Sequence, residues 1–287
     1  MSYILEPYDD ALRQILKEGN KKSDRTGVGT LSVFCIQSRY KIDEHFPLLT
    51  KRKVWPEAIF AELLWFISGS TNNKDLQELG SNIWTPWVDS DFENQHHYPE
   101  GSLGPVYGFQ LRHYGGNYNH GHHGNYGYGW KGFDQLEYVM DLLKNDPNSR
   151  RILFDLWNPR DLDAMRLPPC HYSFQLYACD GKLSGILTQR SCDFPVGVPA
   201  NIQFYSALIY MMAQQVDLEP YEFVHSTVDS HIYLDQIDAV DEYLARPNPD
   251  SPKLDLKKAQ DIYSYKMEDF GLVGYKPEKP IKIPVAV

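Results

Sequence analysis

Cysteine is scarce in this chain of 287 residues: Cys35, Cys170, Cys179 and Cys192 are the only four. They form no C-x-x-C pair and no regular spacing, which excludes a disulfide-stapled secreted scaffold and predicts reduced thiols. Positive charge is also short. The 28 Lys and Arg against 38 Asp and Glu leave a net charge of −10, which argues against a phosphate-backbone clamp on nucleic acid and against docking on anionic lipid. A small anion held by a few local arginines is untouched by that argument. No apolar run reaches membrane-spanning length, and Met1 to Asp10 lacks the basic and apolar regions of a secretory leader. The chain therefore reads as cytoplasmic, with no membrane and no nucleic-acid partner. A dinucleotide fingerprint is missing too, and Gly104-Pro105-Val106-Tyr107-Gly108 lacks the Lys-Ser/Thr that would make it a phosphate loop.

What is present suits a folded enzyme-sized body: 42% of residues are apolar and 23% charged, enough for a large core without staples. Helical patterning covers Leu12 to Glu18, Ala58 to Ser68 behind Trp55-Pro56-Glu57, Phe133 to Lys144, Asn201 to Gln215 behind Pro199, and Asp235 to Ala245. Strand patterning covers Leu31 to Ile42, Ile152 to Trp157 and Glu222 to Leu234. Tyr172 to Ala178 and Lys182 to Thr188 flank Asp180-Gly181, a strong hairpin signal. Residues 96–130, rich in Gly, His, Tyr and Asn, read as a surface excursion around a better-packed stretch, Leu103 to Leu111. With no repeat and no clean linker, residues 1–287 are expected to form one α+β domain, a mixed or antiparallel sheet covered by helices.

Pro168-Pro169-Cys170-His171 sets a thiol just ahead of a strand, behind two prolines that fix the backbone. A thiolate there could reach a substrate; a buried structural thiol fits the same four residues. The hairpin returns through Gln189-Arg190-Ser191-Cys192-Asp193, so Arg190 is expected beside Cys170, where a guanidinium would lower the thiol pKa and take a phosphate. A surface ion pair is the plainer alternative. Arg150, Arg151 and Arg25 are further stiffly placed cations, and four such arginines in an acidic chain suggest a dianion site. Asn201 is either an early helix residue or an amide that pairs with a uracil edge, donating to O4 and accepting from N3–H. His231 and Tyr233, two apart on a strand, share one face, as ligand groups or as core. The histidines of His120-Gly121-His122-His123 have no partner at metal-site spacing, so no metal is expected.

Taken in order, these segments resemble the thymidylate synthase family nearly end to end. The match is carried by Ser23-Asp24-Arg25-Thr26-Gly27, Glu62-Leu63-Leu64-Trp65-Phe66, Ile83-Trp84, Leu103-Gly104-Pro105-Val106-Tyr107-Gly108 and Asn148-Ser149-Arg150-Arg151. It continues through Leu167-Pro168-Pro169-Cys170-His171, Gln189-Arg190-Ser191-Cys192-Asp193, Asn201-Ile202, His231-Ile232-Tyr233 and Pro284-Val285-Ala286-Val287. The resemblance implies a homodimeric α+β enzyme that methylates dUMP at C5, with 5,10-methylenetetrahydrofolate supplying both carbon and hydride. By the same resemblance Cys170 is the nucleophile, while Glu62, Tyr107, His171, Asp193 and Arg190 complete the catalytic set. Arg25, Arg190 and Ser191 would hold the phosphate together with Arg150 and Arg151 of a second subunit. Asn201 would read the pyrimidine, and His231 and Tyr233 the deoxyribose. Ile83, Trp84, Trp87, Leu167, Asp193, Gly197 and Ala286 would line the folate side.

Several positions depart from the family pattern. Ala200 stands where a phenylalanine is usual, and Phe204, one turn on and on the same helix face, could return the ring. Trp55 replaces a polar residue and Val228 a glycine. These departures, near the pocket, raise a second reading: a deoxyuridylate hydroxymethylase, which adds water instead of hydride. Trp84 and the terminal Pro-Val-Ala-Val, both expected to exclude water, favour the methylating reading. A non-catalytic nucleotide- or RNA-binding relative is the third, disfavoured by the intact Cys170 and arginine set.

Overall fold

The computed structural model describes residues 3–118 and 131–285. Helix α1 (Glu6–Glu18) carries Pro7 in its first turn and buries Tyr8, Ala11, Leu12 and Ile15, a helical stripe that packs on the sheet. Strands β1 (Asn20–Lys22) and β2 (Thr30–Lys41) follow. Helix α2 (Pro56–Ser68) is buried on most sides and stops at Gly69, whose φ of 79° is left-handed. Two short helices, α3 (Asn73–Glu78) and α4 (Ser90–His96), start on the side-chain caps Asn72 and Asp89. Helices α5 (Tyr107–His113) and α6 (Gln135–Asn145) then lead to β3 (Leu153–Asp155) and the hairpin of β4 (His171–Cys179) and β5 (Lys182–Asp193). At the hairpin tip Asp180 and Gly181 both have positive φ, 50° and 75°, the requirement of a two-residue turn that keeps strand twist. Helix α7 (Gly197–Gln215), β6 (Glu219–Tyr233), α8 (Ile237–Ala245) and a small ribbon of β7 (Lys253–Leu256) and β8 (Phe270–Val273) complete the chain.

Six strands form one sheet in the order β1-β2-β6-β5-β4-β3. Every neighbouring pair is antiparallel except β5 and β6, which run parallel, so the sheet is mixed. The parallel step requires a crossover, and α7 supplies it: 19 residues rise about 28 Å, enough to return along the sheet. Its buried residues, among them Ile202, Phe204, Tyr205, Leu208, Ile209 and Met212, join α2 and the sheet in one core. Alternate residues of β4 point away from that core, leaving Tyr177 66% exposed. On β2 the alternation breaks at Cys35, whose φ is 62°, and Phe34 is 84% exposed although Ser32 and Ile36 on either side of it are buried. The chain before α2 is tied to α1 by an ion pair between Lys51 Nζ and Asp9 Oδ2 at 2.8 Å, each side chain 1% exposed.

Within the segment 96–130, the stretch expected to pack better, Leu103 to Leu111, is buried and holds most of α5, while His96 ends α4. The histidine cluster at 120–123 lies outside the described residues.

Candidate active site

Cys170 stands immediately before β4, where the β4–β5 register slips between His171 and Ser173, a local irregularity of the kind that re-aims side chains. Its backbone is held from two sides. The Cys170 N–H donates to the Tyr107 hydroxyl at 2.8 Å, and its carbonyl accepts from Arg190 N–H at 2.8 Å. The Arg190 guanidinium donates through Nε to Pro169 O at 2.9 Å and through Nη2 to Pro168 O at 3.0 Å, which sets Nη2 at 4.0 Å from Cys170 Sγ. Trp157 lies against the guanidinium, 5.2 Å from Cζ to ring centre. The prolines therefore do two things: they stiffen the loop, and their carbonyls anchor the cation. The guanidinium acts on the thiol pKa in the expected direction but does not decide it. Arg190, Tyr107 and Arg25 do pull it down, but burial outweighs them and the net direction is up.

Beside the thiol, His171 stacks on Tyr107, ring centres 4.4 Å apart, and Phe66 stacks on Tyr107 at 4.9 Å. His171 Nδ1 lies 2.7 Å from the Tyr205 hydroxyl, and burial lowers its pKa to about 3, so the imidazole is neutral. The lost phenyl at Ala200 is not simply replaced one turn later. Phe204 is 4% exposed and packs inward on Phe66 and His171, at 5.1 and 6.1 Å. Glu62, recessed on α2, accepts from Trp84 Nε1–H at 2.5 Å; burial raises its pKa to about 7 while the indole donor opposes the rise. Trp84 in turn meets Trp87 at 5.8 Å. Ile83 and Leu167 are partly buried against the same core. A Cβ added at Gly197, the first residue of α7, would meet nothing within 4 Å, so the space before it is open.

The other wall comes from β5, β6 and the β1–β2 loop. Asp24 accepts from Thr26 N–H and Gly29 N–H, folding the loop that bears Arg25; Gly29, at φ 82°, needs the left-handed region. Arg25 lowers the pKa of both Cys170 and Tyr233 by its charge, which sets it on their side of the fold. His231 and Tyr233 do lie side by side, edge to face at 5.3 Å, and Asp229 holds His231 Nδ1 through its backbone O at 3.1 Å and Oδ1 at 3.3 Å. Parallel pairing sets Asp193 beside His231 and Ser191 beside Asp229. The Asp193 carboxyl accepts from Val196 N–H and from Gln236 Nε2–H, and burial raises its pKa to about 6. Asn201, in the second turn of α7, is partly exposed. Its side chain makes no hydrogen bond among the described residues.

Arg150 and Arg151 do not join this group within one chain. The pairing of Leu153 with Gln175 sets them beyond Gln175, at least about 17 Å along β4 from Cys170. Both are exposed. Ala286 lies outside the described residues.

Four side chains that sequence reasoning passed over help to build the site: Tyr205, Trp157, Asp229 and Gln236. Only Asp229 carried a local signal, as the carboxylate two residues before His231. Gln236 is wholly buried and donates both to Asp193 Oδ2 and to Pro284 O, at 3.4 and 2.9 Å. No group of three potential metal ligands occurs among the described residues, and none of their helices is long and apolar enough to cross a membrane. What the arrangement offers chemically is a recessed thiol under a pinned guanidinium, a carboxyl that titrates near neutrality and a neutral imidazole.

The family model described as thymidylate synthase matches residues 6–287. Thymidylate synthase of Corynebacterium aurimucosum is 46% identical over 288 residues, covering all of both chains. The human thymidylate synthase is 45% identical over 284 residues, 98% of this chain and 90% of its own. The bifunctional dihydrofolate reductase-thymidylate synthase of Zea mays is 45% identical over 284 residues, and the chain spans about half (54%) of that relative's length.

Proposed function

The chain belongs to the thymidylate synthase family, and we propose that it transfers a one-carbon unit from 5,10-methylenetetrahydrofolate to C5 of dUMP, giving dTMP and dihydrofolate. The observation that carries the reading is the thiol at Cys170 with Nη2 of a carbonyl-anchored Arg190 4.0 Å away. Burial keeps that thiol protonated in the free protein, so it is activated as substrate binds. Cys170 then adds to C6 of the uracil ring, forming a C–S bond and pushing the ring electrons toward C5, which becomes the carbon nucleophile. Expulsion of the same thiolate at the end restores the ring and the enzyme.

Arg190 has two donors committed to the proline carbonyls, and its remaining N–H groups serve the substrate phosphate together with Arg25 and Ser191. The same phosphate receives the partner subunit's Arg150 and the partner subunit's Arg151. That reading accounts for two exposed arginines far along β4 from their own thiol, and it makes the working unit a homodimer. The outward face of the sheet, which carries the exposed Tyr177, is the surface such a dimer would cover. Asn201 reads the pyrimidine edge, and His231 with Tyr233 holds the deoxyribose.

The folate supplies the methylene carbon and the hydride. The residues fit it: Trp84 and Trp87 offer flat apolar walls, the space before Gly197 is open, and Asp193 is a buried carboxyl able to accept from the N–H groups of a pterin. Ile83, Leu167 and Ala286 complete that side and exclude water. Glu62, titrating near 7, and the Tyr107 phenol serve the proton transfers at C5, with His171 as a donor. Residues 1–287 act as one catalytic domain, in the cytoplasm.

The test is Cys170→Ala. Retained dUMP binding with no turnover is expected; turnover surviving the substitution would overturn the nucleophile. A wild-type sample that binds dUMP yet converts none with methylenetetrahydrofolate would overturn the enzyme itself.

A further inference from the structure

We propose that Tyr205 is a positioning residue that fixes the tautomer of His171, donating its O–H to Nδ1 so that the ring proton sits on Nε2. The inference rests on the reading of His171 as a donor in turnover, and it starts from a hydroxyl with one place to go. Tyr205 is 1% exposed, and its ring is wedged against Phe174 at 4.8 Å, Phe204 at 5.1 Å and the parallel face of Phe223 at 6.4 Å. Its only hydrogen-bond partner among the described residues is His171 Nδ1, at 2.7 Å. If Nδ1 carried the proton and donated it, the Tyr205 O–H would be left without an acceptor inside the core, the costly outcome for a buried donor. With the hydroxyl donating, both groups are satisfied: Nδ1 accepts, and Nε2 bears the proton.

The imidazolium is excluded by the same count, because Nδ1 would again be a donor and the Tyr205 O–H would be left without an acceptor. Burial also holds the ring neutral. Rotation of the ring is blocked by the Tyr107 stack at 4.4 Å on one side and by Phe204 at 6.1 Å. Nε2 has no hydrogen-bond partner among the described residues and His171 as a whole is 7% exposed, so the fixed tautomer presents a neutral N–H donor one residue from the thiol. That donor suits a ring oxygen on which charge collects as a nucleophile adds to the ring, and its protonation does not change with pH near neutrality.

The test is nitrogen-15 NMR of histidine-labelled protein between pH 5 and 8, beside steady-state kinetics. In the wild type, His171 is expected to show an unprotonated Nδ1 and a protonated Nε2 across the range. Tyr205→Phe keeps the ring and removes the hydroxyl. It is expected to give mixed tautomers and a kcat lower by about tenfold, with dUMP affinity changed by less than about twofold. A wild-type Nδ1 that carries the proton, or a Tyr205→Phe protein with the tautomer unchanged, would overturn the assignment. That wild-type measurement decides the tautomer even if the variant does not fold. His171→Gln separates the two levels: unchanged kcat would remove His171 from the reaction while the wild-type spectrum still judged the tautomer.

Discussion

Replacing Trp84 with phenylalanine removes one hydrogen bond and little else. The phenyl ring keeps an apolar body against Trp65, Trp87 and Tyr107, whose centres lie 6.0, 5.8 and 5.7 Å from the indole. What disappears is the Nε1–H donated to Glu62 Oε1. That donor favours the ionised carboxylate and opposes the burial that has already raised Glu62 to about 7. A hydrogen bond to a charged group contributes about 1.5–3 kcal/mol net, and one pKa unit corresponds to about 1.4 kcal/mol. Glu62 should therefore move up by about 1 to 2 units, to about 8–9. The assay is log kcat against pH at saturating dUMP and methylenetetrahydrofolate, so that a weakened folate wall does not masquerade as a titration. The acid limb should shift to higher pH by the same 1 to 2 units, with most of the wild-type rate regained above it. An acid limb that stays in place, or moves down, would refute the claim that Trp84 governs the ionisation of Glu62.

Glu62→Gln should stabilise the fold at alkaline pH while removing activity. A carboxyl raised from 4.5 to about 7 binds its proton more tightly when folded, so its favourable contribution is complete below 4.5 and is lost as pH rises through 7. Denaturant unfolding at pH 8 should show the variant more stable by at most about 3 kcal/mol, with the difference vanishing below pH 5; equal stability at pH 8 would contradict the raised pKa. Arg190→Lys keeps the charge and loses the fork that engages Pro168 O and Pro169 O. Its kcat/KM for dUMP should fall roughly 10- to 100-fold, and the thiol, titrated by an alkylating reagent, should ionise at higher pH. Near-wild-type kcat/KM would show that anchoring is dispensable.

The elements that could be read before folding are those with a local cause. Asp180-Gly181 demands positive φ twice and so announces its hairpin. The Pro-to-Gly span of α2 fixes that helix within two residues, whereas the pattern read from Leu12 catches only the second half of α1, which starts at Glu6 behind the less regular Pro7-Tyr8-Asp9-Asp10. Helices α3 and α4 run six and seven residues, and their strongest sign is a capping side chain, which periodicity overlooks. The Arg190–Cys170 neighbourhood followed from strand pairing alone. The thiol's pKa did not follow, because the attraction of a guanidinium is visible in sequence whereas the degree of burial, a sum over distant elements, is not. Tyr205 and Gln236 were invisible for a related reason. Each is an ordinary residue of its helix or turn, and each gains its meaning from a partner 34 or 43 positions away.

The central claim is most directly tested by the nucleotide product formed from dUMP and methylenetetrahydrofolate, identified by mass together with the oxidation state of the folate. The account predicts dUMP carrying one added methyl group and an equal amount of dihydrofolate. A hydroxymethyl nucleotide with tetrahydrofolate retained would show that water, not hydride, completes the reaction, and would contradict it.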